Sequence, residues 1–288
     1  MEEILDLPAL QWYPGHMKRA KDIILENLKL VDAVVELLDA RAPLSSKNPM
    51  LDEIIKDRER VVALNKADLA EPNAVKRYIA LFKERGLEAV PISSVNGVPK
   101  NLIKAIEKVA TPKTEKWVKA GAKKRAARVM ILGIPNVGKS TLVNSIAGSN
   151  KAKAANTPGL TRNKQWVKIG KNLELLDTPG ILWPKFDSLK SALNLAFLGS
   201  ISDDVYDTEK VAAILVENLK SISPQNLAER FKLETLEKPA VEILEDIGKK
   251  RGCLVKGGAV DSFKAAKILL SEFRSGKLGK CALPEDII

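Results

Sequence analysis

The chain has 288 residues, 45% of them hydrophobic and 29% charged, enough to bury a sizeable core and more in keeping with two domains than with one. Lys and Arg number 47 against 36 Asp and Glu; the net charge of +11 favours a polyanionic partner, because neutralised phosphates release counterions, although an anionic membrane would attract the same charge. Cys253 and Cys281 fit neither a disulfide framework nor a zinc pattern, the Met-Glu-Glu start is unlike a secretion signal, and no apolar run nears the ~18 residues that cross a bilayer. A reducing, cytoplasmic setting without a membrane role is therefore expected, and a monomer.

Apolar stretches alternate with amphipathic ones as far as about residue 177, the pattern of a mostly parallel sheet flanked by helices. Strands are expected at 31–38, 60–64, 88–92, 128–133, 165–169 and 173–177. Between them Pro49, Pro72 and Pro99 stand where first helical turns begin, and Gly86 and Gly148 where helices stop. Val75, Ile79 and Phe82, and again Leu102, Ile103, Ile106 and Val109, keep helical spacing and give the intervening helices an apolar face. From Thr111 to Arg128 a basic stretch containing Pro112 and Gly121 reads as a joining segment, either a solvated linker or one that touches RNA. Past Pro184 the strand signal fades and helical patterns at about 207–220, 224–231, 239–250 and 260–274 take over, so residues 1–184 and 185–288 are expected to form an α/β domain and a small all-α domain. In the last helix Phe263, Ala266, Leu270 and Phe273 are expected to be buried. Lys264, Lys267 and Arg274 lie beside them, with Lys249, Lys250, Arg251, Lys277 and Lys280 nearby, as an RNA phosphate footprint or an ordinary solvated face.

Five motif stretches fall on this framework. Gly133-Ile134-Pro135-Asn136-Val137-Gly138-Lys139-Ser140 lies between a strand and a helix. Its glycines let backbone N–H groups close around phosphates, Lys139 reaches the β and γ phosphates, Ser140 offers a hydroxyl to Mg²⁺, and Thr141 continues the helix N-terminus. Asn65-Lys66-Ala67-Asp68 follows another strand. One carboxylate can accept from both N1–H and N2–H₂ of guanine, whereas adenine offers an acceptor at N1, so Asp68 selects GTP; Asn65 supports the loop and the Lys66 stem packs along the base. Ser93-Ser94-Val95 can give backbone N–H groups to guanine O6, which makes its side chains less critical. Asp177-Thr178-Pro179-Gly180 places Asp177 near the metal, through water, and the Gly180 N–H at the γ-phosphate. In the loop Asn156–Arg162, Thr161 is the first choice for a second Mg²⁺ hydroxyl and Thr157 the reserve.

The base-reading tetrapeptide precedes the phosphate loop, the reverse of the usual order, which implies a circularly permuted P-loop GTPase. It also leaves only a few residues between Gly180 and the helical segment, so a shift at the γ-phosphate would bias that segment, and GTP and a polyanionic partner would favour each other's binding.

The motif order, the opening Gln11-Trp12-Tyr13-Pro14-Gly15-His16-Met17, the run Asp39-Ala40-Arg41-Ala42-Pro43 and the ending Arg274-Ser275-Gly276-Lys277-Leu278-Gly279 resemble the bacterial ribosome biogenesis GTPase A (YlqF) family over nearly the whole chain. The resemblance implies a permuted G domain, a carboxy-terminal RNA-binding domain, and binding to the precursor of the large ribosomal subunit and its rRNA late in maturation. After Gly180 comes Ile181, which cannot hydrogen-bond the attacking water; the resemblance gives that task to His16, the only histidine, while Lys139 and Mg²⁺ carry most of the charge stabilisation. Asn136 resembles a P-loop asparagine that helps hold K⁺. A GTP-sensing adaptor docking on a protein or membrane, with hydrolysis incidental, is the alternative.

Overall fold

In the computed structural model, the described residues are 14–55, 58–119, 121, 123, 125–147, 166–169, 172–176 and 188–285. Two compact units emerge, one spanning Trp12–Pro184 and one holding Lys185–Ile288. The first contains α1 (Pro14–Leu28), β1 (Ala33–Asp39), α2 (Pro43–Ser46), α3 (Pro49–Ile55), β2 (Glu59–Asn65), α4 (Pro72–Glu84), β3 (Glu88–Pro91), α5 (Lys100–Lys119), β4 (Ala127–Gly133), α6 (Lys139–Ala147), β5 (Trp166–Ile169) and β6 (Leu173–Leu176). The second contains α7 (Leu189–Phe197), a short 3₁₀ turn, α8 (Thr208–Ile222), α9 (Pro224–Phe231), α10 (Ala240–Lys250) and α11 (Ser262–Arg274).

The six strands form one sheet in the order β3-β2-β1-β4-β6-β5, parallel except for the edge strand β5. Strands covered on both faces need apolar residues at successive positions. β1 meets this with Ala-Val-Val-Glu-Leu-Leu-Asp, every residue of it buried. Its one interior charge, Glu36, is fully buried and accepts from Arg60 at 3.1 Å; burial pushes this carboxyl up, partly offset by the charges of Lys47 and Arg60. Val34, Met130, Leu132 and Leu176 share a core with Ile24 and Leu28 of α1 and Leu51 and Ile55 of α3. α5 lies against β1, β2, β3 and β4.

β1 lies between β2 and β4, with Asp39 opposite Asn65 and Leu37 opposite Gly133. The carboxyl ends of β2 and β4, and the loops that leave them, therefore share one end of the sheet, where ligands of open α/β folds bind.

Local structure departs from the sequence expectation in four places. The segment expected as a linker is helical to Lys119, α5 continuing through Pro112, and Thr114 Oγ1 donates to Thr111 O at 2.9 Å just beyond the proline. α1 and α7 are additional helices; Ser188 caps the latter by accepting from Ser191 N at 3.1 Å. Phe263 is 48% exposed and not core, because the inward stripe of α11 is formed by Ala265, Ala266, Leu269, Leu270 and Phe273. Arg251 and Arg274 are structural. Arg251 meets Glu272 at 3.1 Å, and Arg274 donates to Asp203 (2.7 Å) and to the carbonyls of Ala196 (2.9 Å) and Phe197 (3.2 Å) at the end of α7.

Candidate functional site

β4 ends in Gly133, the loop turns through Asn136, and α6 begins at Lys139. A side chain at Gly133 would put its Cβ 2.6 Å from Leu37 O, and one at Gly138 2.3 Å from Asn65 Nδ2, so both positions exclude any larger residue. Lys139 is buried, and its ammonium donates inward to Gly133 O (3.1 Å) and Ile134 O (2.7 Å), inside the loop whose backbone would surround phosphates. Ser140 and Thr141 form the first turn of α6, where the helix dipole favours an anion.

The base-reading loop is fastened to the phosphate loop by two hydrogen bonds. Asn65 Nδ2 donates to Val137 O at 2.8 Å, and Lys66 Nζ donates to Asn136 O at 3.0 Å. Lys66 and Asn136 both adopt left-handed backbone conformations, φ 58° and 57°, which cost a residue other than glycine on the order of 1–2 kcal/mol each. Two strained residues joined to each other are thus held by contacts that tie the loops together.

Asn65 Oδ1 accepts from both Ser94 N (3.1 Å) and Ser94 Oγ (2.8 Å). This corrects the expectation for Ser94. Its N–H is directed to Asn65 and not into the base slot, and its hydroxyl is one of the groups that orient Asn65. Asp68 Oδ1 and Ser93 Oγ are buried with no hydrogen-bond partner among the described residues. Unpaired buried acceptors and hydroxyls are costly and mark a place for a ligand that supplies the missing donors; guanine N1–H and N2–H₂ fit Asp68.

Sequence reasoning gives Asp39 and Arg41 no role. Arg41, only 1% exposed, donates through Nε to Asp39 Oδ1 and through a terminal nitrogen to Asp39 Oδ2, both at 2.9 Å. The same Oδ2 meets Lys66 Nζ at 2.9 Å. Burial pushes the Asp39 carboxyl up, but Arg41 and Lys66 outweigh it and hold the group well below the usual carboxylate range. Asp39 is therefore an anion at neutral pH, shared by a structural arginine and the lysine of the base-reading loop. The available signal is an acid and an arginine two residues apart where a mostly apolar strand ends.

His16 stands in the first turn of α1, its side chain outside the described residues. Thr157, Thr161, Asp177, Gly180 and Ile181 also lie outside them. Among the described residues no group of His, Cys, Asp and Glu side chains forms a metal cage.

A family model described as 50S ribosome-binding GTPase matches residues 128–246. The match opens at β4 and leaves Asn65–Asp68 upstream of it. Ribosome biogenesis GTPase A of Bacillus cereus is 47% identical over 273 residues, covering 94% of this chain and 92% of its own length. Among solved structures, the GNP-bound YlqF of Thermotoga maritima is 30% identical with a TM-score of 0.67, covering 93% of this chain and 100% of that one. A GDP-bound YlqF structure is 29% identical with a TM-score of 0.66, covering 91% of this chain and 98% of that one.

Proposed function

The chain belongs to the ribosome biogenesis GTPase A family, GTP-hydrolysing ribosome assembly factors built on a circularly permuted G domain, and from that premise we propose that it acts late in maturation of the large ribosomal subunit. In this reading it holds a precursor particle in the GTP state and leaves after hydrolysis, working as a monomer in the cytoplasm. The observation that supports it best is the pair of bonds Asn65–Val137 and Lys66–Asn136. They bring the base-reading and phosphate loops together across β1, beside Asp68 Oδ1 and Ser93 Oγ, both buried without a hydrogen-bond partner among the described residues.

The chain's own residues then divide the work. Asp68 accepts from guanine, Asn65 and Ser94 brace its loop, and Lys66 lies along the base. Backbone N–H groups from Asn136 to Thr141 surround the phosphates, and the Lys139 ammonium exchanges its two loop carbonyls for phosphate oxygens. Gly180 offers its N–H to the γ-phosphate. Ser140, Thr161 and Asp177 would hold Mg²⁺, which GTPases use with their nucleotide, and Asn136 would help hold K⁺; such cations neutralise charge that develops between the β and γ phosphates. Because Ile181 cannot bind water, His16 is assigned to orient it.

The test is sedimentation of the purified protein with ribosomal subunits and precursors, with a nonhydrolysable GTP analogue or with GDP. Comigration with large-subunit particles in the GTP-like state alone is expected. No ribosome association in either state would overturn the reading and leave the adaptor alternative. His16→Ala should slow turnover about 10²-fold or more while leaving nucleotide affinity within a few-fold; unchanged turnover on the particle would remove its assignment.

A further inference from the structure

We propose that the outer face of α11, with the turn leading into it, is a stacking platform for an unpaired stretch of RNA. The proposal rests on the ribosomal reading above and assigns its contact surface in the helical unit.

Residues 249–280 contain nine Lys and Arg and two Asp and Glu, nine minus two giving +7 of the chain's net +11. Both acids are committed inside the unit: Asp261 caps α11 by accepting from Lys264 N at 2.9 Å, and Glu272 is buried against Arg230 and Arg251. Arg251 and Arg274 are held in the same internal pairings. Lys249 is shared with Asp246, and Lys250 reaches Glu234 only at 3.9 Å.

What α11 leaves outward is Phe263, Lys264, Lys267 and Ser271, which share one side of the helix. That side carries no carboxylate of α11. Asp203, an acid on a neighbouring element that feels Lys267, is already held by Arg274 and Tyr206. Phe263 is the one large aromatic side chain that stands exposed among the described residues, and the Lys267 ammonium lies 4.3 Å from its ring centroid. A stacking plane and a mobile cation side by side match the two features an unpaired nucleotide offers, a π-face and a phosphate. A base can take the ring while the flexible lysine turns to the phosphate.

The turn before α11 extends the surface. Leu254 and Val255 are exposed, a bridge between Leu254 and Val260 closes the turn, and Lys256 precedes Gly257 (φ 105°) and Gly258 (φ 85°). Nothing lies within 4 Å of where either glycine's Cβ would be, so a nucleic-acid backbone can approach the chain there. An acidic peptide would use the lysines and leave the ring unused, which is why RNA is the occupant that fits.

The test uses the full chain and a labelled single-stranded oligoribonucleotide of about 12 nucleotides, with its duplex as control. Phe263→Ala and Phe263→Leu should each weaken single-strand binding about 5- to 100-fold, and Phe263→Trp should restore it. The pair Lys264→Gln and Lys267→Gln should lower the slope of log affinity against log salt by about 1.4. Thermal midpoints close to that of the wild type show that the variants are folded. Wild-type binding by Phe263→Ala and Phe263→Leu overturns the platform. So does loss of binding to phosphatidylserine vesicles with RNA binding intact, which would assign the face to lipid. If the unmodified protein does not sediment with ribosomal particles, the ribosomal reading itself fails; if it does, and Phe263→Ala sediments equally, only the platform fails.

Discussion

At the strand ends of the nucleotide-binding unit Arg41 is 1% exposed and shares Asp39 with Lys66, whereas on α11 Lys264 and Lys267 stand exposed with no carboxylate paired to them among the described residues. A cation removed from water must bring its counter-charge with it, and once paired it is fixed in direction. That fixity suits a pocket which must read one base and close on a triphosphate without rearranging. A solvated lysine keeps its rotamer freedom and its counterions, which suits a long, variable polyanion whose binding is driven by releasing those counterions. The difference lies in where the acids are, more than in how many cations each region has.

The largest effect should come from breaking the buried side. Asp39→Asn removes the carboxylate that faces the buried Arg41 guanidinium and should cost about 3–5 kcal/mol of unfolding free energy, read from urea unfolding. Adding Arg41→Met removes the buried charge that lost its carboxylate and should recover most of that loss. Lys66 lacks its carboxylate partner in both proteins, keeping only Asn136 O among the described residues, so GDP affinity should stay low in the double variant although stability returns. Recovery of both together would mean that Asp39 serves the core alone.

This ion pair also shows what the sequence can and cannot disclose. The strands are legible because central parallel strands are apolar at nearly every position and are bounded by Pro and Gly. Asn65–Asp68 and Gly133–Ser140 are legible because each motif is local. The role of Asp39 is not, since it depends on β1 lying between β2 and β4, a long-range pairing that no local spacing encodes. Ser94 is misread for a related reason: the partner of its N–H, Asn65, is 29 residues away. α5 passing through Pro112 escapes a sequence reading because proline ordinarily ends a helix; here the chain continues helically to Lys119, with the Thr114 hydroxyl bonded to Thr111 O in the turn that follows. Phe263 reads as core because hydrophobic spacing on α11 is satisfied by two neighbouring stripes, and only packing chooses between them.

A middle effect should separate Arg274 from the lysines on the same helix. Its guanidinium joins Asp203 to the last carbonyls of α7, and Gly199 leaves room for it: a Cβ there would sit 3.0 Å from Arg274 Nε. Asp203 is partly solvated, so Arg274→Met should cost about 2–3 kcal/mol, less than Asp39→Asn. Burial pushes the Asp203 carboxyl up, but hydrogen bonds from Arg274 and Tyr206 and the Arg274 charge outweigh it and lower the group from 3.8. A depressed carboxylate contributes stability that is present above its unfolded value and lost as pH falls through its folded one. The gap in unfolding free energy between wild type and Arg274→Met should therefore be full at pH 6 and narrow below pH 4, approximately the ordinary carboxylate value. A gap independent of pH would show that Arg274 acts through the α7 carbonyls alone.

The smallest effect tests the exposed side. Converting Lys264 and Lys267 together to glutamine breaks no ion pair between described residues and buries nothing, so unfolding free energy should move by less than about 0.5 kcal/mol. What the change removes is the ammonium over the Phe263 ring, whose stabilisation at an exposed site is at most about 0.5–1 kcal/mol and is partly returned by solvation of the glutamine. A cost above about 2 kcal/mol, well outside the range of ordinary surface substitutions, would place these lysines with Arg41 and Arg274 as parts of the architecture. A near-zero cost, beside the loss of salt-dependent RNA affinity, would mark them as charge that the fold carries for a partner.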